Sequence, residues 1–153
     1  MCIIKKSTGI NILYKSNASK TCNIKFKIRM INEEKSITSV PYKWLTQNPF
    51  RSVYFASLAM AAEMSTGALA LSNIYKKIPG VSMLLTKMEA SYFKKASDTI
   101  YFTCEQGKEI TIVINEAILS VEGKSIIVRS AGKNKNDEVV AEFLFTWSFK
   151  AKR

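Results

Sequence analysis

Apolar residues follow a two-residue period over most of this chain, and the exceptions stand out against it. From Cys22 to Met30, Ile24, Phe26, Ile28 and Met30 alternate with Lys25, Lys27 and Arg29, which predicts a half-buried strand. Asn32-Glu33-Glu34 supplies a turn, and Ser36 to Val40 returns as a second strand stopped by Pro41. Ser82 to Phe93 is the next strand, with Met88, Ala90 and Tyr92 set against Lys87, Glu89 and Ser91. Lys94 to Asp98 is a turn, and Thr99 to Cys104 carries Ile100, Phe102 and Cys104 on one side. Ser125 to Ser130 and Val139 to Phe149 form a last pair around a polar loop at Gly132 to Asp137. The final strand has the clearest alternation: Val139, Ala141, Phe143, Phe145, Trp147 and Phe149 share one face.

The main exception is NPFRSVYFASLAMAAEMSTGALALSN, Asn48 to Asn73. It is apolar almost without interruption and rich in alanine, which predicts a long helix buried all round. Asn48 fits a cap and Pro49 a first helical position, so the helix is expected from about Pro49 to Ile74 or Tyr75. Lys76-Lys77 suits the negative end of its dipole, and Pro79-Gly80 breaks it. Lys108 to Val121 carries a β-branched run, but Ile110, Val113, Ile114, Ala117, Ile118 and Val121 fall on one helical face, and Gly123 fits a helix stop. Met1 to Thr21 has no clear period, and its apolar cluster Ile10 to Tyr14 is expected as a helical turn against the domain. Adjacent strands joined by short turns favour antiparallel pairing. The expected class is α+β: a curved antiparallel sheet wrapped around a long central helix.

Size agrees with one domain over residues 1–153, of which about 1–21 are a variable N-terminal segment. A chain of that length buries roughly two-thirds of its unfolded surface. The formal charge of +11 allows three kinds of anionic partner: nucleic acid, a membrane surface or a phosphorylated ligand. Its lysines are scattered, and the aromatic residues fall on alternating strand faces, so neither a nucleic acid nor a membrane is expected as a partner. The absence of histidine removes the usual base of serine and cysteine nucleophiles and excludes Cys-His zinc sites. Cys2, Cys22 and Cys104 are widely spaced and odd in number, as free thiols in a reducing compartment are, and the expected location is the cytoplasm. Val53 to Ile74 is long enough to span a bilayer, but Glu63 near its centre and several hydroxyls favour a core helix.

The segment NPFRSVYFASLAMAAEMSTGAL resembles the central-helix motif of the hotdog fold. More narrowly, it is similar to an uncharacterised thioesterase-like family related to the phenylacetyl-CoA thioesterases. MEASYFKKASDTIYF and EVVAEFLFTWSFK look like the matching sheet strands, so the resemblance covers roughly Ile24 to Lys150. It implies hydrolysis of an acyl-CoA or acyl-carrier thioester without a cofactor or metal. It also implies a homodimer or a dimer of dimers, with sites between subunits. Two departures are plain. Better-known relatives carry His-Gly-Gly at the helix entrance, where this chain has Arg51-Ser52-Val53. Registering SLAM on the family's SLAD puts Met60 where an aspartate would stand, with Glu63 one turn further along. These departures keep open a second reading, an acyl-CoA-binding protein without catalysis.

Thioester hydrolysis needs a polarised carbonyl and an activated attacking group. Amides around Phe50 to Val53 are the expected oxyanion donors, or are simply capped. Glu63 is the candidate base or nucleophile, by the resemblance and by its isolation in an apolar helix, where burial would raise its pKa towards working pH, or else a carboxylate satisfied by a lysine or backbone group at a dimer interface. Asn48 either caps the helix or positions water. Arg51 is a CoA-phosphate ligand or a surface charge, and Ser52, Tyr54 and Thr66 are candidate substrate-binding donors.

Overall fold

The computed structural model describes residues 2–4, 12–14 and 26–152. Its elements are β1 (Cys2–Ile4), β2 (Ile12–Tyr14), β3 (Lys27–Ile31), β4 (Ser36–Val40), α1 (Phe55–Ile74), β5 (Val81–Tyr92), β6 (Ile100–Cys104), α2 (Gly107–Ser120), β7 (Lys124–Lys133) and β8 (Val139–Ala151). Strands β1 and β2 pair with each other, so residues 12–14 form a strand rather than the expected helical turn. Residues 22–25 of the expected first strand, Cys22 among them, lie outside the described residues.

The six remaining strands make one antiparallel sheet in the order β3-β4-β6-β7-β8-β5. Its longest ladder joins β5 to β8, from Val81↔Ala151 to Tyr92↔Ala141, with one register shift between Leu85 and Lys87. Alternation along β8 places Phe143, Phe145, Trp147 and Phe149 on the face that receives the helices. There they join Phe102, Leu69, Ile110 and Ile114 in a continuous core. This is the expected α+β arrangement of a curved antiparallel sheet around a long helix.

Small residues let α1 lie close to the sheet. Ala61, Ala62 and Ala70 are completely buried. Buried hydroxyls find partners across the contact: Ser65 and Ser130 oxygens are 2.7 Å apart, and the Thr38 hydroxyl donates to the Ala61 backbone carbonyl at 2.6 Å. Such bonds are needed, because a buried hydroxyl without a partner is costly. By length and composition α1 alone among the described helices would cross a membrane, yet it serves here as the core helix of the sheet.

Burial of α1 is not uniform. Phe55 and Met60 are about half exposed, and Glu63, Met64 and Gly67 are only partly covered. One stripe of its N-terminal half is therefore open, where the sequence led us to expect burial all round. Helix α2 forms over the ambiguous β-branched run because Ile110, Ile114 and Ala117 meet the core at helical spacing. It starts at Gly107, where a Cβ would lie 1.9 Å from the Glu33 carbonyl oxygen, so only glycine fits against that turn. It stops at Ser120, before the expected Gly123, because Val121 takes the left-handed conformation (φ 59°).

Candidate functional site

The helix begins later than the sequence pattern predicts. Asn48 Oδ1 accepts the amides of Phe50 (3.0 Å) and Ser52 (3.1 Å), closing a tight turn in which Arg51 has φ 56°. The Arg51 amide donates to the Asn48 carbonyl at 3.0 Å. Val53 then runs extended, bridging to Gln47 and donating its amide to the Ala96 carbonyl at 2.8 Å. The Tyr54 amide donates to the Thr46 carbonyl at 2.6 Å. Asn48 therefore caps this turn and not α1, whose N-cap is Tyr54.

This bonding corrects the expected oxyanion donors. The amides of residues 50–53 are all engaged inside the fold. Among the described residues the amides of Phe55 and Ala56 carry no hydrogen bond, as a true helix N-terminus leaves them. They sit at the positive end of the helix dipole, with no acid in the first turn to neutralise it.

Glu63 lies on the open stripe of α1. Its carboxylate has no hydrogen bond or ion pair among the described residues, and burial raises its pKa above the ordinary carboxylate value of 4.5. Two residues that the sequence did not single out make its place. Gly67, one turn on, lacks the Cβ that would lie 2.9 Å from Glu63 Oε1 and 3.3 Å from the Trp147 ring. Trp147 itself is held from behind: its Nε1 donates to the Thr66 hydroxyl at 3.1 Å, and that hydroxyl donates to the Glu63 carbonyl at 3.1 Å. The readable signal was a lone glycine four residues after the lone acid of an alanine-rich helix.

The remaining candidates divide between two places. Asn48, Arg51, Ser52 and Tyr54 share the loop before α1, whereas Glu63 and Thr66 stand further along the helix. The Arg51 guanidinium forms no ion pair among the described residues, and the Ser52 and Tyr54 hydroxyls form no hydrogen bond there. Thr66 is buried and both its bonds are internal, so its place is behind Glu63. Glu63 lies eight residues beyond Phe55, about 12 Å along the axis at 1.5 Å per residue. Cys104 is not part of the site: it is buried in the core, and burial pushes its thiol up to about 11.

Gly67→Ala tests the space under Glu63. The added methyl displaces the flexible carboxylate towards solvent, and the Glu63 titration midpoint, followed by NMR of its side-chain carbon, falls back towards its ordinary value. The gain in helix propensity is about 1 kcal/mol and opposes the crowding, so stability changes by no more than about that amount. An unmoved midpoint would mean that Gly67 does not shape the carboxylate's surroundings.

The sequence matches one family model, Domain of unknown function (DUF4442), over residues 9–149. No curated protein matches it. Among solved structures it is similar to a protein of unknown function from Pseudomonas aeruginosa described as a probable thioesterase. That match has 17% identity and a TM-score of 0.74, covering 83% of each chain. It is also similar to a thioesterase from Staphylococcus aureus, at 16% identity and TM-score 0.63, over 82% of this chain and 93% of that one. A thioesterase from Haemophilus influenzae matches at 10% identity and TM-score 0.59, over 82% of this chain and 78% of that one. At these identities the likeness is one of fold.

Proposed function

The chain belongs to the family described as Domain of unknown function (DUF4442) and has the hotdog fold, and from that premise we propose that it hydrolyses an acyl-CoA or acyl-carrier thioester. One observation carries this reading: a half-buried carboxylate, Glu63, without a partner among the described residues, stands on a helix whose N-terminal amides at Phe55 and Ala56 are free among them. In the proposed reaction Glu63 takes a proton from water as that water attacks the thioester carbonyl. The amides hold the resulting oxyanion, and the C–S bond breaks. Glu63 then returns the proton to the leaving thiolate. Asn48 spends its Oδ1 on the turn and keeps its Nδ2 free among the described residues to orient water or the carbonyl. Arg51, Ser52 and Tyr54 stand on the same loop as ligands for the polar end of the substrate. The open Met60 and Met64 offer an apolar bed for its acyl chain.

The same reading calls for a homodimer. The hotdog resemblance implies sites of this kind between two subunits. β5 is an outermost strand of 12 residues, exposed along most of its length, and a bare edge of that kind invites a second copy. Light scattering at micromolar concentration is expected to give twice the chain mass, and a monomer would count against the shared site. We place the protein in the cytoplasm, where free thiols persist.

Purified protein and a panel of acyl-CoAs of graded length, with thiol release as the readout, test the activity. Binding without thiol release across the panel would leave the second reading, an acyl-CoA-binding hotdog protein. That alternative is favoured by the Arg51-Ser52-Val53 entrance, whose amides are already engaged.

A further inference from the structure

A set of exposed apolar residues lies on two loops at one end of the sheet. The first joins β4 to α1 and carries Trp44 at 83% exposure, Phe50 at 78% and Leu45 at 50%. The second follows β5 and begins with the exposed Phe93. The bond from the Val53 amide to the Ala96 carbonyl ties the two loops together, and Tyr54 and Phe55 extend the surface into the first turn of α1, with rings 4.7 Å apart. Single exposed apolar residues are ordinary, but several exposed aromatic residues on loops that are bonded together mark a contact surface.

Charge narrows the choice of partner. From Glu34 to Glu63 the chain holds no acid between those two residues, but it does hold Lys35, Lys43 and Arg51. Lys43, Arg51 and Lys95 form no ion pair among the described residues. The nearby acids do not offset them. Glu138 is taken by Lys94, and the one acid of the second loop, Asp98, is outnumbered by Lys43, Arg51 and Lys95. Nucleic acid would require stacking platforms along a groove, whereas here the aromatics sit on two short loops, with Phe50 in the turn that Asn48 closes. Tryptophan and phenylalanine tips with free cations between them suit the headgroup boundary of a bilayer, where rings enter the acyl edge and cations meet lipid phosphates.

We propose that the loop surface formed by Trp44, Leu45, Phe50 and Phe93, ringed by Lys43, Arg51 and Lys95, docks this protein peripherally on an anionic membrane. No membrane partner was expected from the sequence, because the scattered lysines formed no basic stretch along the chain. The fold brings two of them, Lys43 and Lys95, together with Arg51 onto the same pair of joined loops as the exposed rings. Docking there shares Arg51 and the entrance of α1 with the proposed thioester site but needs no hydrolysis, so vesicle binding and thiol release test the two readings separately.

The full chain supplies its own probe. Trp44 is exposed and Trp147 is 5% exposed, so a change in tryptophan emission on adding vesicles reports Trp44. Vesicles of phosphatidylcholine with phosphatidylglycerol are expected to pellet the wild type and shift its emission to the blue, and vesicles of phosphatidylcholine alone to do so weakly. Trp44→Phe should abolish the shift while still pelleting. Trp44→Ser with Phe50→Ser should abolish pelleting. Lys43→Gln with Lys95→Gln should weaken partitioning by roughly 30-fold at low salt, the factor expected for two cations near an anionic surface. Far-ultraviolet circular dichroism of each variant confirms folding. Wild type that stays in the supernatant with anionic vesicles at low salt overturns the proposal. So does equal pelleting of wild type and the serine pair. A third overturning outcome is emission already blue without lipid, red-shifting on dilution and indifferent to vesicles, which would assign these rings to contact with a second copy.

Discussion

Glu63→Gln is expected to lower thioester hydrolysis by about 10²-fold or more while leaving the fold intact. The amide keeps the shape of the carboxylate and cannot take a proton. Nothing among the described residues bonds to that carboxylate, so no partner is orphaned by the change. The pH dependence gives a second signature. Burial holds the folded pKa of Glu63 above its unfolded value, so the charged form is disfavoured by folding. Below the unfolded pKa both states are protonated and there is no penalty. As pH rises through the unfolded and then the folded pKa, the unfolded chain ionises first and stability is lost. The glutamine variant should therefore melt at or above the wild-type temperature near neutral pH, with the difference vanishing on acidification below the ordinary carboxylate value. Hydrolysis by wild type should rise with pH through the raised pKa. A glutamine variant as active as wild type would remove Glu63 from the chemistry. A variant that melts markedly lower at neutral pH would make it a structural partner.

Phe143→Ala is expected to cost about 3–5 kcal/mol of stability, the range for removing a fully buried phenylalanine. Its ring is completely buried on β8 and meets three others: Tyr92 edge-on at 5.7 Å, Phe102 edge-on at 5.7 Å and Phe145 stacked at 5.9 Å. Those partners belong to β5, β6 and β8, so one deletion loosens the sheet from its exposed edge to its middle. Against a total stability of roughly 5–15 kcal/mol, such a loss leaves a marginal protein. A fall in melting temperature of roughly 10 °C is the expected reading. A fall of only one or two degrees would mean that the cavity collapses and that this aromatic group does not organise the sheet.

Much of the fold was legible in order and type. Strands β3 to β8 and both helices follow from alternation and helical spacing, because each strand has one face towards the helices and the other towards water. The long helix was legible for a different reason: alanine-rich apolar sequence fits few places except against a tightly curved sheet. Its start was not legible. Asn48-Pro49 satisfies every local rule for a helix entrance, but the Asn48 side chain is claimed by the amides of Phe50 and Ser52, and Val53 is claimed by Ala96, 43 residues away. Local propensity cannot register a bond to a distant carbonyl. The end of α2 misled in the same way: Gly123 offered an easy stop, and packing placed Val121 in the left-handed turn instead.

The sequence by itself determined that one apolar helix would lie against an antiparallel sheet and that Glu63 would be the lone acid upon it, because burial and charge are properties of residue type and spacing. Only the tertiary structure decided what surrounds that acid and which amides stand free. Gly67 and Trp147 come together across 80 residues of chain to make room for the carboxylate, and the tight turn at Asn48 consumes the amides of residues 50–53, leaving those of Phe55 and Ala56. The gathering of Trp44, Phe50, Phe93, Lys43, Arg51 and Lys95 at one end of the sheet is likewise a result of chain crossing. The physical reason is the same in each case: hydrogen-bond satisfaction and steric fit are settled between segments far apart in sequence, whereas hydrophobic period is settled within each segment.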